Sequence, residues 1–303
     1  MKANAPVVLF VYRRPEHTRR TLESLSLCDG AEKTDLWVFS DGPKSDREAD
    51  SVAEVRALVR SVTGFRSVQL VESPRNQGLA ASVIAGVGKV LSMAGTCIVV
   101  EDDLVLAPGF LSFLNQGLDV YRDSPLVFTL SGYTPPRSRV PMEPPGTVWF
   151  APRPCSWGWA IWKDRWDKVD WTIADRGVFE SERRARKQFN RGGRDLSYFL
   201  RRQFEGSIDS WAIRMAWNQN RQGGLTAYPT RSFVDNRGLD GTGTHSQIEK
   251  AHDSDLSEAA IPDTWPEPVE TSPVNLRRFR RHYEGTWVER WIARLRKVRK
   301  LWR

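Results

Sequence analysis

Cysteine is scarce in this chain: three in 303 residues, at positions 28, 97 and 155, with no Cys-x-x-Cys pair. That excludes a disulfide framework and a thiolate zinc site, and it fits a reducing compartment. Long apolar runs are also missing, since nowhere do about 18 apolar residues follow one another, the length a spanning helix needs. The run Val7–Val11 is too short for a signal-peptide core, and Arg13 and Arg14 follow at once, so the chain reads as cytosolic. No glycine-rich phosphate loop follows that run; Arg13-Arg14-Pro15 stands in its place. No internal repeat is present.

What is there is ordinary in bulk and uneven in detail. Hydrophobic residues at 40% and charged residues at 27% suit a soluble globular α/β chain with room for a real core. The thirteen Trp are many, and Trp serves both as core filler and as a stacking surface for sugars. The net charge of +8 is localised. Residues 277–303 hold eleven Lys or Arg against Glu284 and Glu289, which leaves 34 basic and 35 acidic groups elsewhere. A nearly neutral body with a basic tail argues against a nucleic-acid partner.

The first hundred residues alternate between strand and helix patterns. Val7–Tyr12, Asp35–Phe39, Ser67–Val71 and Thr96–Val100 read as strands, and 15–27, 46–61 and 79–91 as helices. Such repetition implies a mostly parallel sheet flanked by helices, with ligands beyond the carboxyl ends of its strands. Arg14, Asp41, Asn76 and Glu101-Asp102-Asp103 all fall just past a strand end. Further on come a Pro-rich stretch (134–154), the Trp-dense CSWGWAIWKDRW, helices over 179–204 and 209–220, and the glycine-rich NRGLDGTGTH. Residues 253–276 read as a linker.

The triplet Glu101-Asp102-Asp103 carries the clearest chemistry. Three consecutive carboxylates leaving the apolar Cys97-Ile98-Val99-Val100 are costly unless a cation or donors compensate. Oxygen ligands of this kind suit Mg²⁺ or Mn²⁺, held by one or two carboxylates and substrate phosphates. The bland alternative is a solvated acidic turn.

VVEDDLVLAPGFLSFL closely resembles the Glu-Asp-Asp segment of the N-acetylglucosaminyltransferase I family. VVLFVYRRPEHTRRTLESL is similar to the first strand and helix of that family and of family 2 glycosyltransferases, and ESPRNQGLAASVIAGV to their Asn-x-Gly segment. The resemblance runs from residue 6 to about 250. It implies a GT-A (Rossmann-like) fold, a nucleotide-sugar donor (UDP-linked), and inversion at the anomeric carbon. It divides the domain into a nucleotide-sugar-binding half (1–115) and an acceptor-binding, catalytic half (116–252). By this similarity Asp103 is the metal ligand, Asp102 contacts ribose or phosphate, and Glu101 contacts the donor sugar. Arg14 and Asp41 then sit at the base and ribose, with Asn76 and Gly78 in the nucleotide-binding loop.

Each of these has a plainer reading. Arg14 alone is a surface arginine, Asp41 a turn former before Gly42-Pro43, and Asn76-Gln77-Gly78 a common turn. An inverting transfer needs a base, and GSIDSW resembles the segment where the family has two adjacent acids before a Trp. Only Asp209 survives here, as base or as cap of the following helix. His245 ends the glycine loop and is a further metal candidate, or a surface histidine. Trp157 and Trp159 are candidates for a stacking platform, although most of the local Trp residues read as core.

The tail places Val288, Trp291, Ile292, Leu295, Val298 and Trp302 on one helical face, flanked by Arg and Lys. A basic amphipathic helix of this kind suits an anionic membrane surface, which puts the chain peripherally on the inner face of the cell membrane. Packing on the body and nucleic-acid binding are the alternatives. The acceptor expected is a glycan or a lipid-linked one. A nucleotidyltransferase and a non-catalytic sugar-binding protein are the rivals; the first lacks its phosphate loop, and the second leaves the acidic triplet unexplained.

Overall fold

The five residues Val7–Val11 are all apolar, three of them β-branched valines, and buried, and they form an inner strand, β1. Its pleat sends Val7, Leu9 and Val11 into one hydrophobic cluster and Val8 and Phe10 into another, on the opposite face of the sheet. Two-faced burial is what an apolar parallel strand requires. The computed structural model describes residues 4–136, 140–142, 144, 146–240 and 254–284.

Along the chain, α1 (Pro15–Ser26), β2 (Asp35–Ser40), α2 (Asp46–Ser61), β3 (Ser67–Glu72), α3 (Leu79–Ala94) and β4 (Thr96–Glu101) follow β1. Then come β5 (Leu104–Leu106), α4 (Phe110–Val120), β6 (Val127–Ser131), β7 (Val148–Ala151), β8 (Trp159–Trp162) and α5 (Lys163–Trp166). The rest are α6 (Arg176–Ser181), α7 (Arg183–Phe189), α8 (Asp195–Phe204), α9 (Trp211–Arg221), β9 (Leu225–Pro229), β10 (Val234–Asn236) and α10 (Pro273–Glu284). Eight strands form one sheet in the order β3-β2-β1-β4-β8-β6-β9-β7. Only β8 and β7 run against the others, so the sheet is mixed and mostly parallel, with helices on both faces, as expected. β5 and β10 make a separate antiparallel pair beside the end of β4.

Glycine sets the limits of α3, the helix beside the acidic triplet. Gly78 precedes it with φ +82°, and Gly95 ends it with φ +75°, its N–H reaching the Leu91 carbonyl at 2.9 Å. Within the helix, Gly86 lets the backbone lie on Phe10 and Phe39, where an added Cβ would stand 2.9 Å from the Phe10 ring.

Two expectations about the second half change. The helical stretch expected at 179–204 is three helices, broken at Glu182 and again at Gly192-Gly193. The second break is steric: Gly193 has φ +132°, and a Cβ on Gly192 would stand 2.7 Å from the Pro152 carbonyl. Residues 254–272, polar and proline-containing, are not a free linker. Trp265 stacks on Phe113 at 5.4 Å, and Tyr121 Oη donates to the Pro266 carbonyl at 3.2 Å. Beyond them α10 docks by burying Phe279 between Trp149 and Tyr228. The first part of the basic tail is therefore packed on the body, and 285–303 lie outside the described residues. Among the described residues, no helix is long and apolar enough to cross a membrane.

Candidate active site

Parallel strands deliver their following residues to one edge of the sheet. β1 and β4 pair with Phe10 opposite Glu101, so Tyr12-Arg13-Arg14 and Glu101-Asp102-Asp103 emerge side by side. The Arg14 guanidinium reaches across to Asp102 and to Asp103, the latter at 2.8 Å. Burial pulls the Arg14 pKa down, but the two carboxylates beside it more than offset that and hold it above the usual arginine value. The resemblance puts Arg14 at the base and ribose; here it is the counter-cation of the acidic triplet.

One arginine does not neutralise three carboxylates. Burial, reinforced by Asp103 and Asp102, pushes the Glu101 pKa up to about 8, and Arg14 only partly opposes this. Asp102 is also raised, by burial, against the pull of Arg14 and the backbone N–H of Tyr12. Most telling is Asp103: its Oδ1 is buried and has no hydrogen-bond partner among the described residues. An orphaned carboxylate oxygen in an acidic cluster is the kind of group a hard divalent cation would satisfy.

The backbone around Asp103 is fitted to it. Arg237 N–H donates to the Asp103 carbonyl at 2.8 Å, and a Cβ on Gly238 would collide with the Asp103 carboxylate. The start of the glycine-rich loop thus lies directly over Asp103, tethered again by His17 Nε2 and Asp240 Oδ2 at 3.1 Å. His245, the second metal candidate, lies outside the described residues. Among those described, no three His, Cys, Asp or Glu side chains form a ready-made metal cage. Mg²⁺ and Mn²⁺ commonly bind through one or two carboxylates completed by substrate phosphates, which Asp103 and Asp102 can supply.

Asp41 and Asn76 come together, but mainly to build a loop. The Asp41 carboxylate accepts backbone N–H bonds from Gly42 (2.9 Å), Gln77 (2.9 Å) and Gly78 (3.0 Å). Asn76 Nδ2 donates to the Gly42 carbonyl at 2.9 Å. Gly42 has no room for a Cβ, which would sit 2.5 Å from the Arg75 backbone. These residues zip the end of β2 to the start of α3 and so shape the floor beside Arg14.

The two candidate tryptophans part company. Trp159 is a correction: it is wholly buried in β8, stacked on Trp211 (5.1 Å) and Trp166 (6.2 Å), and cannot be a stacking platform. Trp157, two residues earlier, is half-buried in the loop before β8, edge-on to Tyr133 at 4.7 Å. Gly158 between them has φ +62° and packs on Phe110 and Val234, at 2.8 and 2.9 Å from an added Cβ.

Asp209 lies just before α9, which leads into β9. Because β9 runs parallel to β6, and β6 and β4 are each antiparallel to β8, the start of α9 shares the carboxyl edge with the triplet. Its carboxylate is exposed and paired with Arg214. The helix cap is its neighbour: Ser210 Oγ accepts the Ile213 N–H at 3.4 Å. Sequence reasoning passed over Ser210, His17 and Tyr12; only the glycine of NRGLDG hinted at the loop that covers Asp103.

A groove of about 750 Å³ opens at the opposite edge, lined by Trp37, Met93, Arg122 and Lys163 among others, and shares nothing with the triplet. No protein-family model matches the chain, and no curated protein matches it. Among solved structures, a mannosyltransferase from Pyrobaculum calidifontis in complex with GDP-Man and Mn²⁺ is similar over 73% of this chain and 70% of that one. The identity is 14% and the TM-score 0.41, and nothing about the site rests on so distant a likeness.

Proposed function

We propose that this chain is a metal-dependent glycosyltransferase of the GT-A type, moving a sugar from a nucleotide-sugar, UDP-linked, to a glycan or lipid-linked acceptor with inversion. The observation that carries the reading is Asp103: a carboxylate with one buried, unpartnered oxygen, at a strand end, under a glycine loop, beside Asp102 and Arg14.

In this reading Asp103, aided by Asp102, would hold Mn²⁺ or Mg²⁺. When bound, such an ion stabilises the negative charge that develops on the departing diphosphate. Arg14, which pairs with Asp102 and Asp103, would supply positive charge beside that diphosphate. Glu101 faces the donor sugar, and the loop zipped by Asp41, Asn76 and Gly78 borders the nucleoside. Trp157 borders the sugar side. Asp209 takes the proton from the acceptor hydroxyl as its oxygen attacks the anomeric carbon and the bond to the diphosphate breaks. Arg214, paired with Asp209, orients its carboxylate for that task. The acceptor is met at the inner face of the membrane, where the basic tail 277–303 holds the protein.

The test is calorimetric titration of UDP, UDP-sugars and GDP-mannose with and without Mn²⁺, in the parent and in Asp103→Ala. The parent is expected to bind one nucleotide family more tightly with Mn²⁺, and the variant to lose that response while melting as a folded protein. Equal affinity and an equal metal response in both would overturn the reading.

A further inference from the structure

The positive charge of the described residues is concentrated in two segments that pack against each other. Residues 183–202, covering α7 and most of α8, hold eight Lys or Arg and one carboxylate, Asp195. Residues 273–284, the helix α10, hold four Arg and one carboxylate, Glu284. Outside these and the last nineteen residues, the other 252 carry 26 basic and 34 acidic groups. A body that is net acidic thus carries one strongly basic face.

The two segments adjoin. Arg194 N–H donates to Glu284 Oε1 at 3.1 Å, and the Arg191 guanidinium reaches Thr271 Oγ1 at 3.5 Å. The two carboxylates within these segments are already used: Asp195 pairs with Arg153 at 2.8 Å, and Glu284 with Arg280 at 3.2 Å. In contrast, Arg183, Arg184 and Lys187 on α7, Arg191 and Arg194 in the following turn, and Arg277 and Arg281 on α10 are exposed. None of these seven has a carboxylate partner among the described residues. Like charges held this close repel one another, and a folded chain retains them at some cost in stability unless an anionic partner offsets it.

The same face exposes apolar groups between the charges. Arg194, just before α8, and Tyr198, one turn into it, form an exposed stripe, with Tyr198 53% exposed and its neighbour Phe199 39% exposed. On α10 the matching stripe is Val274, Arg277 and Arg281, with Val274 47% exposed. Cations interleaved with exposed aromatic and aliphatic side chains fit a lipid headgroup layer, where the charges meet phosphates and the rings enter the acyl boundary. A nucleic-acid backbone would satisfy the charges and leave the apolar groups in water.

We propose that the face built by α7, the 190–194 turn, the exposed stripe of α8 and α10 is a preformed docking surface for an anionic membrane. It deepens the membrane part of the proposed function and rests on that reading for its purpose, but its charge and shape belong to the folded body. The half-buried Arg153–Asp195 pair ties this face to the loop 152–158, which carries Trp157, so docking orients the acceptor side of the cleft toward the lipid surface.

The test uses the full chain and flotation on vesicles of phosphatidylcholine, with and without phosphatidylglycerol. Two charge-reversal sets are compared with the parent: Arg183→Glu with Arg184→Glu and Lys187→Glu, and Arg277→Glu with Arg281→Glu. Each basic group near an anionic surface is worth about 1 kcal/mol, roughly fivefold in partition. Each set should therefore lower binding to anionic vesicles at least about tenfold. Added salt should weaken parental binding, and a Lys-for-Arg set should keep it. Mn²⁺-dependent nucleotide binding, measured on the same proteins, should be unchanged, which shows that the variants fold. If both reversal sets float like the parent, the folded face is not the docking surface. Binding to duplex DNA in place of vesicles would overturn the proposal too. Loss of nucleotide binding in the parent itself would sink the transferase reading and leave the vesicle result standing.

Discussion

The two halves of the main sheet are built in different ways. In residues 4–106, three successive strand–helix units lay down β1, β2, β3 and β4, with β2 and β3 added in turn on one side of β1 and β4 on the other. In residues 127–236, strands are threaded out of order, with β8 inserted between β4 and β6 and β9 between β6 and β7. The first half turns apolar runs into strand ends and puts Arg14, Asp41 and the acidic triplet at one edge. The second half brings residues to that edge from separate loops. A site read from local pattern is therefore densest in the first half, and the proposed acceptor side depends on long-range pairing.

The sharpest way to break this comparison is to disable the second half's one proposed chemical group. Asp209→Asn removes the proton acceptor and keeps the shape, so transfer should fall by roughly 10²–10⁴, with donor binding unchanged. Steady-state and single-turnover rates measure it. Near-parental turnover would leave Asp209 as no more than the exposed partner of Arg214, since Ser210 already caps α9.

Next in size is a stability test on the tryptophans that share a motif but not a fate. Trp159→Ala opens a cavity beside Trp211 and Trp166 and should cost about 3–5 kcal/mol, read as a lower denaturation midpoint. Trp157→Ala, in the half-buried loop, should cost far less and should affect sugar-donor affinity instead. Equal losses would mean that both indoles are core.

Residue type could not separate that pair: both are Trp in CSWGWAIW, and only the start of β8 after Gly158 sends one inward. The same limit explains Asp209 and Ser210, adjacent residues of which either can cap a helix. It explains 254–272 as well, whose polar, proline-containing composition hides the docking of Trp265 on Phe113. By contrast, β1 to β4 and the three helices between them were legible because burial in a parallel unit is written as local periodicity. Asp103 was legible as a ligand type; its orphaned Oδ1 and the glycine over it required the packing of a loop more than a hundred residues away.

Within the first half, Asp41 separates loop-building from ligand contact. Asp41→Ala leaves the N–H groups of Gly42, Gln77 and Gly78 without their acceptor, at about 1–3 kcal/mol for a buried unsatisfied group. Asp41→Asn keeps an acceptor oxygen and should recover part of that. If thermal melts of both variants match the parent while nucleotide affinity drops, Asp41 acts on the ligand directly and not through the loop.

The smallest expected effect concerns a loop of the second half, between β7 and β8. Burial pushes the Cys155 thiol up to about 11, and the Trp157 backbone N–H and Ser131 hydroxyl offset this only in part. Burial likewise pushes Cys28 up to about 12, and Cys97 is raised by burial alone. A raised thiol pKa means that the folded chain holds the proton more tightly than the unfolded one. The associated stability is thus fully present below the unfolded value, near 9, and is lost as pH climbs through 11. At pH 8 only about one Cys155 in 10³ is thiolate, which is the form that reacts. The native protein should show no fast-reacting thiol toward an aromatic disulfide reagent at that pH, and all three should react on denaturation. Between pH 8 and 10 the native rate should rise about tenfold per unit if ionisation limits it. A fast thiol at pH 7 that disappears in Cys155→Ser would show that residues 152–158 open in solution. The link between the basic face and Trp157 would then be a moving part rather than a fixed one.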